Sequence, residues 1–203
     1  MPQPRRESAR DRTRRRIALA ARAEALEVGY DALSVDAIAT RAGVSRATYY
    51  LHFRNKLEAL SAALRYDVRP SMDELLARLD ALCGVPERDA LRQWVDDAVS
   101  FWQASADAVE VSEQVLTLDA ASTPTWIAMN QHAVHALPNL SNRWQGHDVE
   151  VVRARVGLLF MQLDRACFFH NRDALPFDRS TLIDALVEEW WSLLRRQPTR
   201  SAP

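Results

Sequence analysis

A single glycine, Gly43, divides the stretch from Ser34 to Lys56 into two runs of helical spacing and restricts it to two short helices meeting at a tight turn. Ser34 offers a side-chain oxygen to the orphan amides of the first helix, and Asp36 places a negative charge near that helix's positive end. Val35, Ile38, Ala39 and Ala42 share one small apolar face, which another helix can approach closely. Gly43 stands where the chain must turn left-handed, a conformation glycine takes without a Cβ clash. Val44 can plug the gap between the helices, and Ser45 can cap the second. There Tyr49 and Phe53, four apart, anchor one side, while Arg46, Ala47, Tyr50, Leu51 and Arg54 form the other. An outward face of Arg, Tyr and Leu suits the base edges and phosphates of a DNA major groove, so the pattern predicts a helix-turn-helix. Periodicity alone leaves open an ordinary surface hairpin of helices with solvated Arg and Tyr.

The residues themselves go further. AGVSRATYYLHFRNK, residues 42–56, followed by the apolar LEALSAAL of residues 57–64, resembles the DNA-binding signature of TetR-family transcriptional regulators. The resemblance is specific over residues 14–64 and architectural beyond. It implies that Arg46, Ala47 and Leu51 meet base edges and that Thr48, Tyr50, His52 and Lys56 meet sugar-phosphate. The chemistry agrees: Arg46 can donate two hydrogen bonds to one guanine, a contact that discriminates by about 1–3 kcal/mol, and Ala47 or Leu51 can touch a thymine methyl. Thr48, Tyr50 and Lys56 donate to phosphate, which positions without specifying. The family often carries Gly or Pro where Ala47 stands.

Overall charge is −1, but residues 1–60 hold twelve Lys/Arg against seven Asp/Glu, and the remainder fourteen against twenty. The cationic end is the one that would meet phosphate. Of the 26 basic residues only Lys56 is lysine, so the arginine bias of the composition does not account for it. Cys83 and Cys167 are too few for a disulfide framework and read as reduced thiols in packed helices. No export signal or long apolar run is present, and a cytoplasmic protein with no membrane association is expected.

Along the chain, the basic tail MPQPRRESARDRTRRR either lies along DNA, with Arg14, Arg15 and Arg16 in contact, or is a solubilising tail. A first helix is predicted from about Thr13 to Gly29, with Ile17, Ala21, Ala25 and Val28 inward. A linking helix follows over 55–66, with Leu57, Leu60 and Leu64 inward. Helices are then predicted over 72–82, from Pro86 through Trp102, over 108–118, 124–137, 148–171 and 178–196, with a loop over 138–147. The expected fold is all-α: an N-terminal three-helix helix-turn-helix domain with a basic arm over 1–66, then a larger helical ligand-binding and dimerisation domain over 67–203.

Val152, Val156, Leu159, Leu163, Ile183, Val187, Trp190 and Leu194 form stripes that seat one helix on another at a shallow angle, and intrachain packing can also exhaust them. The resemblance assigns them to a homodimer interface, because TetR-like proteins pair through their final two helices. A dimer reads two half-sites, so double-stranded operator DNA of palindromic sequence is the implied partner. All six tryptophans and five of six phenylalanines follow residue 90. Trp94, Phe101, Trp102, Trp126, Met129, Phe160, Met161 and Phe168 either wall an apolar cavity or fill a core. The resemblance favours a cavity for a small apolar inducer. FWQ at 101–103, STPTW at 122–126 and FMQLDRACF at 160–168 are similar to the ethionamide-resistance repressor branch.

His132 and His135 have a spacing that chance often supplies, and no metal site is expected. Asp164 and Arg165 read as a structural ion pair. No nucleophile set, phosphate-cradling loop or carboxylate pair stands out, and neither a cofactor nor enzymatic activity is expected. The sequence thus describes a ligand-responsive DNA-binding regulator, a repressor released by a small apolar molecule. The alternative is an architectural or partner-controlled DNA-binding protein without an inducer.

Overall fold

In a computed structural model of the chain, residues 8–118, 123–144 and 147–195 are described. In chain order the helices are α1 (Ala9–Ala32), α2 (Val35–Arg41), α3 (Arg46–Tyr50), α4 (Lys56–Asp67), α5 (Arg69–Gly84), α6 (Arg88–Ala104), α7 (Ala106–Leu118), α8 (Thr123–His135), α9 (Pro138–Arg143), α10 (His147–His170) and α11 (Arg179–Leu194). No strand occurs among the described residues. They fall into two compact units, one drawn from within 1–70 and 107–125 and the other from within 71–106 and 126–203.

In the first unit α1 begins upstream of the expected Thr13. The Ser8 hydroxyl accepts the Asp11 N–H at 3.1 Å, and the Asp11 carboxylate accepts the Ser8 N–H in return, a reciprocal cap. Gly29 at φ 80°, ψ 160° breaks the helix one turn before its end, in a region that only glycine occupies freely. That kink leaves Val28 exposed instead of inward, while Ile17, Ala21 and Ala25 are buried as the stripe requires. Beyond the kink, Tyr30 and Leu33 turn back into the core.

Helices α1 and α4 pack against each other, and their buried positions are chiefly alanines: Ala18, Ala21 and Ala25 on one, Ala59, Ala62 and Ala63 on the other. Small side chains let two backbones approach closely. The core of α4 is therefore made by alanines and Leu60, with Leu57 only partly buried. Helix α7, expected to lie in the second domain, belongs to this unit. Its Val111 and Val115 complete the α1–α4 core, and the Gln114 side-chain oxygen accepts the Tyr30 N–H, freed by the kink, at 2.9 Å.

In the second unit α6 packs on both α10 and α11. Leu91, Trp94, Val95, Ala98, Val99 and Trp102 of α6 are buried at helical spacing. Glu87 is the N-cap residue of α6 and makes no side-chain cap. Flanking the apolar seam, Arg92 meets Asp184 at 2.5 Å, Arg179 meets Asp96 at 2.5 Å, and Arg88 pairs with Glu188. These pairs are exposed and contribute about 0–1 kcal/mol each, so burial holds the helices together.

The expected loop over 138–147 contains a helix, α9. Pro138 supplies a pre-set φ at its start, and Leu140 and Trp144 are buried. Arg143, at the end of α9, donates to the Cys83 carbonyl at 2.7 Å and the Leu194 carbonyl at 3.1 Å, satisfying the C-terminal ends of α5 and α11.

Candidate nucleic-acid interface

Helices α2 and α3 form the predicted pair around Gly43, whose φ is 62°. The Ser34 hydroxyl accepts the Ala37 N–H and the Ser45 hydroxyl accepts the Thr48 N–H, so both helices carry side-chain caps at their N-termini. Ile38, Ala39 and Ala42 line the inner face of α2, and Tyr49 and Phe53 pin the second helix to the core. Their rings lie 5.9 Å apart.

What remains outward is the face expected to read DNA. Leu51 is 73% exposed and Tyr50 47%, a high exposure for apolar and aromatic side chains unless a partner covers them. Arg46 and Ala47 are exposed beside them. The Arg46 guanidinium lies 5.7 Å from the centre of the Tyr50 ring, and its Nη1 meets both Asp36 carboxylate oxygens at 2.9 and 2.8 Å. The Tyr50 hydroxyl, and after it the Asp36 carboxylate, raise the Arg46 pKa and keep it charged. Thr48 is half-buried, and its hydroxyl shares a hydrogen bond with Ser45 at 2.9 Å.

Two residues expected on phosphate are set differently. Lys56 opens α4, but its ammonium turns toward the end of α1, donating to the carbonyls of Tyr30 at 2.7 Å, Leu33 at 3.1 Å and Asp31 at 3.3 Å. It also lies 4.4 Å from the Tyr30 ring centre. Three converging acceptors suit the three donors of an ammonium and not the planar fork of a guanidinium, which explains why a chain so rich in arginine carries lysine here. His52 is half-buried, and its Nδ1 is enclosed with no hydrogen-bond partner among the described residues. Burial first, then the neighbouring Arg10 and Arg14, lower its pKa, so the ring is neutral at pH 7.

Of the arginines expected in the arm, Arg14 is folded inward. It stacks on the Phe53 ring at 4.2 Å, donates to the His52 carbonyl, and meets Glu58 at 3.2 Å. Arg15 lies 5.9 Å from the Tyr66 ring. Residues 1–7 of the arm lie outside the described residues.

These contacts make one framework under the recognition surface. The Tyr49 hydroxyl donates to the Asn55 carbonyl at 2.9 Å, and Asn55 Oδ1 accepts the Glu58 N–H at 2.8 Å to cap α4. Glu58 in turn accepts the Arg54 N–H at 2.9 Å. This backbone bond and the pairing with Arg14 hold its carboxyl below the usual range. Burial raises the Tyr49 phenol well above its ordinary value, so it serves as a donor. The start of α4 is thus tied to α1 by Lys56 and to the segment after α3 by Tyr49, Asn55 and Glu58. Sequence reasoning saw the anchors Tyr49 and Phe53, and placed Asp36 at the start of α2 and Arg14 in the basic arm, but it missed the pairing of Asp36 with Arg46, the packing of Arg14 on Phe53 and Glu58, and the part played by Gln114. The Asn55-x-x-Glu58 cap was readable from spacing; the long-range partners were not.

The residues expected at an apolar ligand divide into groups. Trp94, Trp102 and Phe160 are buried. Trp94 and Phe160 both pack edge-on against Trp190, at 5.0 and 5.2 Å between ring centres. The Trp94 N–H donates to the Leu75 carbonyl at 2.8 Å and the Trp102 N–H to Asp164 at 2.9 Å, while Trp190 Nε1 is buried with no acceptor among the described residues. Phe101 is half-buried against Trp102. Phe168 lies between Arg165 and Arg172, 4.5 and 3.7 Å from its ring centre, and Met161 is 41% exposed, so neither belongs to the Trp94 cluster. The side chains of Trp126 and Met129 lie outside the described residues. A cleft of about 450 Å³ does open between α6 and α11, but polar residues including Arg92, Asp96 and Arg179 line it.

All eight residues expected at the dimer interface are buried within one chain: Val152, Val156, Leu159 and Leu163 on α10, and Ile183, Val187, Trp190 and Leu194 on α11. They close α10 and α11 onto their own unit, since a stripe of this spacing packs equally well inside a chain. The large apolar side chains of α10 that face out are Val151, Leu158, Met161 and Phe169, of which Leu158 is 64% exposed.

His132 Nε2 meets Asp73 at 3.0 Å while His135 Nδ1 faces the Gln131 carbonyl, so the two rings engage different partners. Arg165 pairs with Asp164 at 2.8 Å, as expected. Cys83 and Cys167 are buried, and burial pushes both thiols up to about 12, which leaves no thiolate for redox chemistry at neutral pH. Among the described residues no helix is long and apolar enough to cross a membrane.

A capped helix pair set on a three-helix core, with a basic and apolar face turned outward, defines a helix-turn-helix DNA-binding regulator. Residues 17–63 match the model of the bacterial regulatory proteins of the tetR family. The chain is 32% identical over 207 residues to the HTH-type transcriptional activator FasR of Mycolicibacterium smegmatis, covering 95% of this chain and 88% of that protein. It therefore belongs to the TetR family, whose members are transcriptional regulators and not enzymes. The fold agrees. A TetR-family regulator from Mesorhizobium loti superposes with a TM-score of 0.67 at 20% identity, covering 93% of this chain and 98% of its own. The multidrug binding protein EbrR, solved with imidazole, gives 0.64 at 19% identity, with 92% and 93% covered.

Proposed function

We propose that the chain is a homodimeric, ligand-responsive repressor that occupies a palindromic operator and is released when a small apolar molecule binds its second unit. The observation that carries the reading is the uncovered outer face of α3 and the residue after it, where Arg46, Ala47, Tyr50 and Leu51 stand clear of the core. Arg46, Ala47 and Leu51 address base edges, and Thr48 and Tyr50 address the backbone. His52 reaches phosphate only with its outer edge, and Lys56 acts from beneath by fixing the start of α4. The protein works in the cytoplasm, where operator DNA is.

The dimer is the geometric complement of that face, because two recognition helices at a fixed separation select half-sites one or more turns apart. On α10, Val151, Leu158 and Met161 recur at spacings of seven and three, which places them on one stripe. A second copy is its occupant.

Support for a ligand comes from Trp94, Phe160 and Trp190 and from the enclosed Trp190 N–H. A buried donor without an acceptor costs about 1–3 kcal/mol, which an apolar ligand carrying one oxygen would recover. EbrR is by its name a multidrug binding protein. Two stretches of chain can carry the effect to DNA: α4 into α5, and α6 into α7, whose Gln114 holds the end of α1. Displacing the start of α4 changes the separation of the paired recognition helices.

FasR is named an activator, and this favours a second reading in which the liganded dimer recruits transcription. The closed packing of the Trp94 cluster favours a regulator controlled by a protein partner. A thermal-shift screen of apolar compounds, followed by anisotropy titration on selected duplex DNA, separates these. An inducer raises Tm and weakens operator binding. A compound that raises Tm and leaves affinity unaltered removes the coupling, and in vitro transcription fixes the sign.

A further inference from the structure

The base-reading role of Arg46 leaves one neighbour unexplained. Asp36 sits in the first turn of α2, ten residues ahead of Arg46 and across the turn from it, where an acidic residue opposes the phosphate field. Its carboxylate is 65% exposed, and both of its oxygens lie within 2.9 Å of a single nitrogen, Nη1 of Arg46. As an exposed ion pair it adds about 0–1 kcal/mol of stability, too little to explain the arrangement by folding. It has a geometric effect instead. With Nη1 turned to Asp36 and the guanidinium against Tyr50, the side chain is held between two neighbours on the outer face of α3, the face that meets the base edges in the reading above.

We infer that Asp36 is a positioning residue for specificity: it orients Arg46 for guanine and cancels that arginine's attraction for DNA lacking guanine at the contacted position. The inference rests on the reading of Arg46 given above. Two physical effects act together. A long side chain held in its bound geometry loses less rotamer freedom on binding, which favours the correct base. At a wrong base the guanidinium gains no pair of acceptors while the carboxylate still faces the phosphates, and this penalises the incorrect one. Removing Asp36 therefore leaves a free cation that attracts all DNA alike.

The test uses the full-length dimer. Duplexes selected from a randomised pool by the wild-type protein define the half-site, and each guanine is then replaced in turn. Binding is titrated by fluorescence anisotropy at several salt concentrations for wild type, D36A, D36N, R46A and the D36A/R46A double variant, each checked for fold by circular dichroism. The expected result for D36A and D36N is tighter binding to random DNA and a salt slope steeper by about one. Preference for one guanine falls by roughly threefold to tenfold, within the discrimination a bidentate pair supplies. In the R46A background the Asp36 substitution should leave base preference unchanged. The inference is overturned if R46A loses that preference while D36A and D36N retain it in full, and the role of Arg46 then still stands. If R46A itself retains the preference, or no guanine is selected, the reading of Arg46 fails and this inference fails with it. Should D36A prove unfolded, the isosteric D36N decides by the same criteria.

Discussion

Lys56 and His52 illustrate how far a residue's type determines what it does. The ammonium of Lys56 fits three carbonyls at the end of α1, so arginine is a poor replacement despite its charge. Lys56→Met and Lys56→Arg should each lower unfolding free energy by about 1–3 kcal/mol in urea titration, with Lys56→Arg recovering little of the loss. His52 gives a pH dependence of definite sign. Its folded pKa lies below the ordinary 6.5, so its neutral form contributes stability above pH 6.5 that is lost as pH falls through the folded value. The stability of wild type should drop more steeply than that of His52→Gln between pH 7 and 5. Parallel curves would place the ring in water. Glu58 has the same sign lower down: its contribution is present above its ordinary 4.5 and lost in acid.

Among the elements, α1 and α7 carry the least anticipated feature of the fold. Gly29 breaks α1 at a backbone conformation closed to other residues, and Gln114 of α7 accepts the amide that the break exposes. Gly29→Ala should cost about 1–3 kcal/mol through backbone strain. Gln114→Leu should cost about 1–3 kcal/mol by leaving the Tyr30 N–H unpaired. Both values are readable from chemical denaturation. Because Tyr30 also accepts from Lys56, the Gln114→Leu and Lys56→Met effects should be non-additive, and strict additivity in a double-mutant cycle would show that the two contacts act separately.

For the whole molecule the proposed homodimer is tested on the outer stripe of α10. Leu158→Asp with Met161→Asp adds charge to two exposed positions and should leave the helical content of each chain intact. It should convert the dimer to monomer in light scattering and reduce operator affinity by orders of magnitude, as expected when two linked half-site contacts become one. Val156→Ala, by contrast, removes buried volume and should lower Tm without changing the oligomeric state. If the double Asp variant remained dimeric, the pairing surface would lie elsewhere.

The sequence alone determined what depends on short-range order. Ser34, Gly43, Ser45, Tyr49 and Phe53 act within a turn or two of each other, so local geometry sets the helix-turn-helix and the side that faces out. Helix spacing likewise marked most of the helices, while α9 was read as a loop because its few residues cannot display a period. Tertiary structure decided every question of partner. The stripe of Val152 to Leu163 reads identically whether its partner is the same chain or another, and only the fold places it inside. The ring cluster around Trp190, the passage of α7 to the first unit and the pairing of Arg46 with Asp36 depend on residues brought together across the fold, where periodicity carries no information about distance.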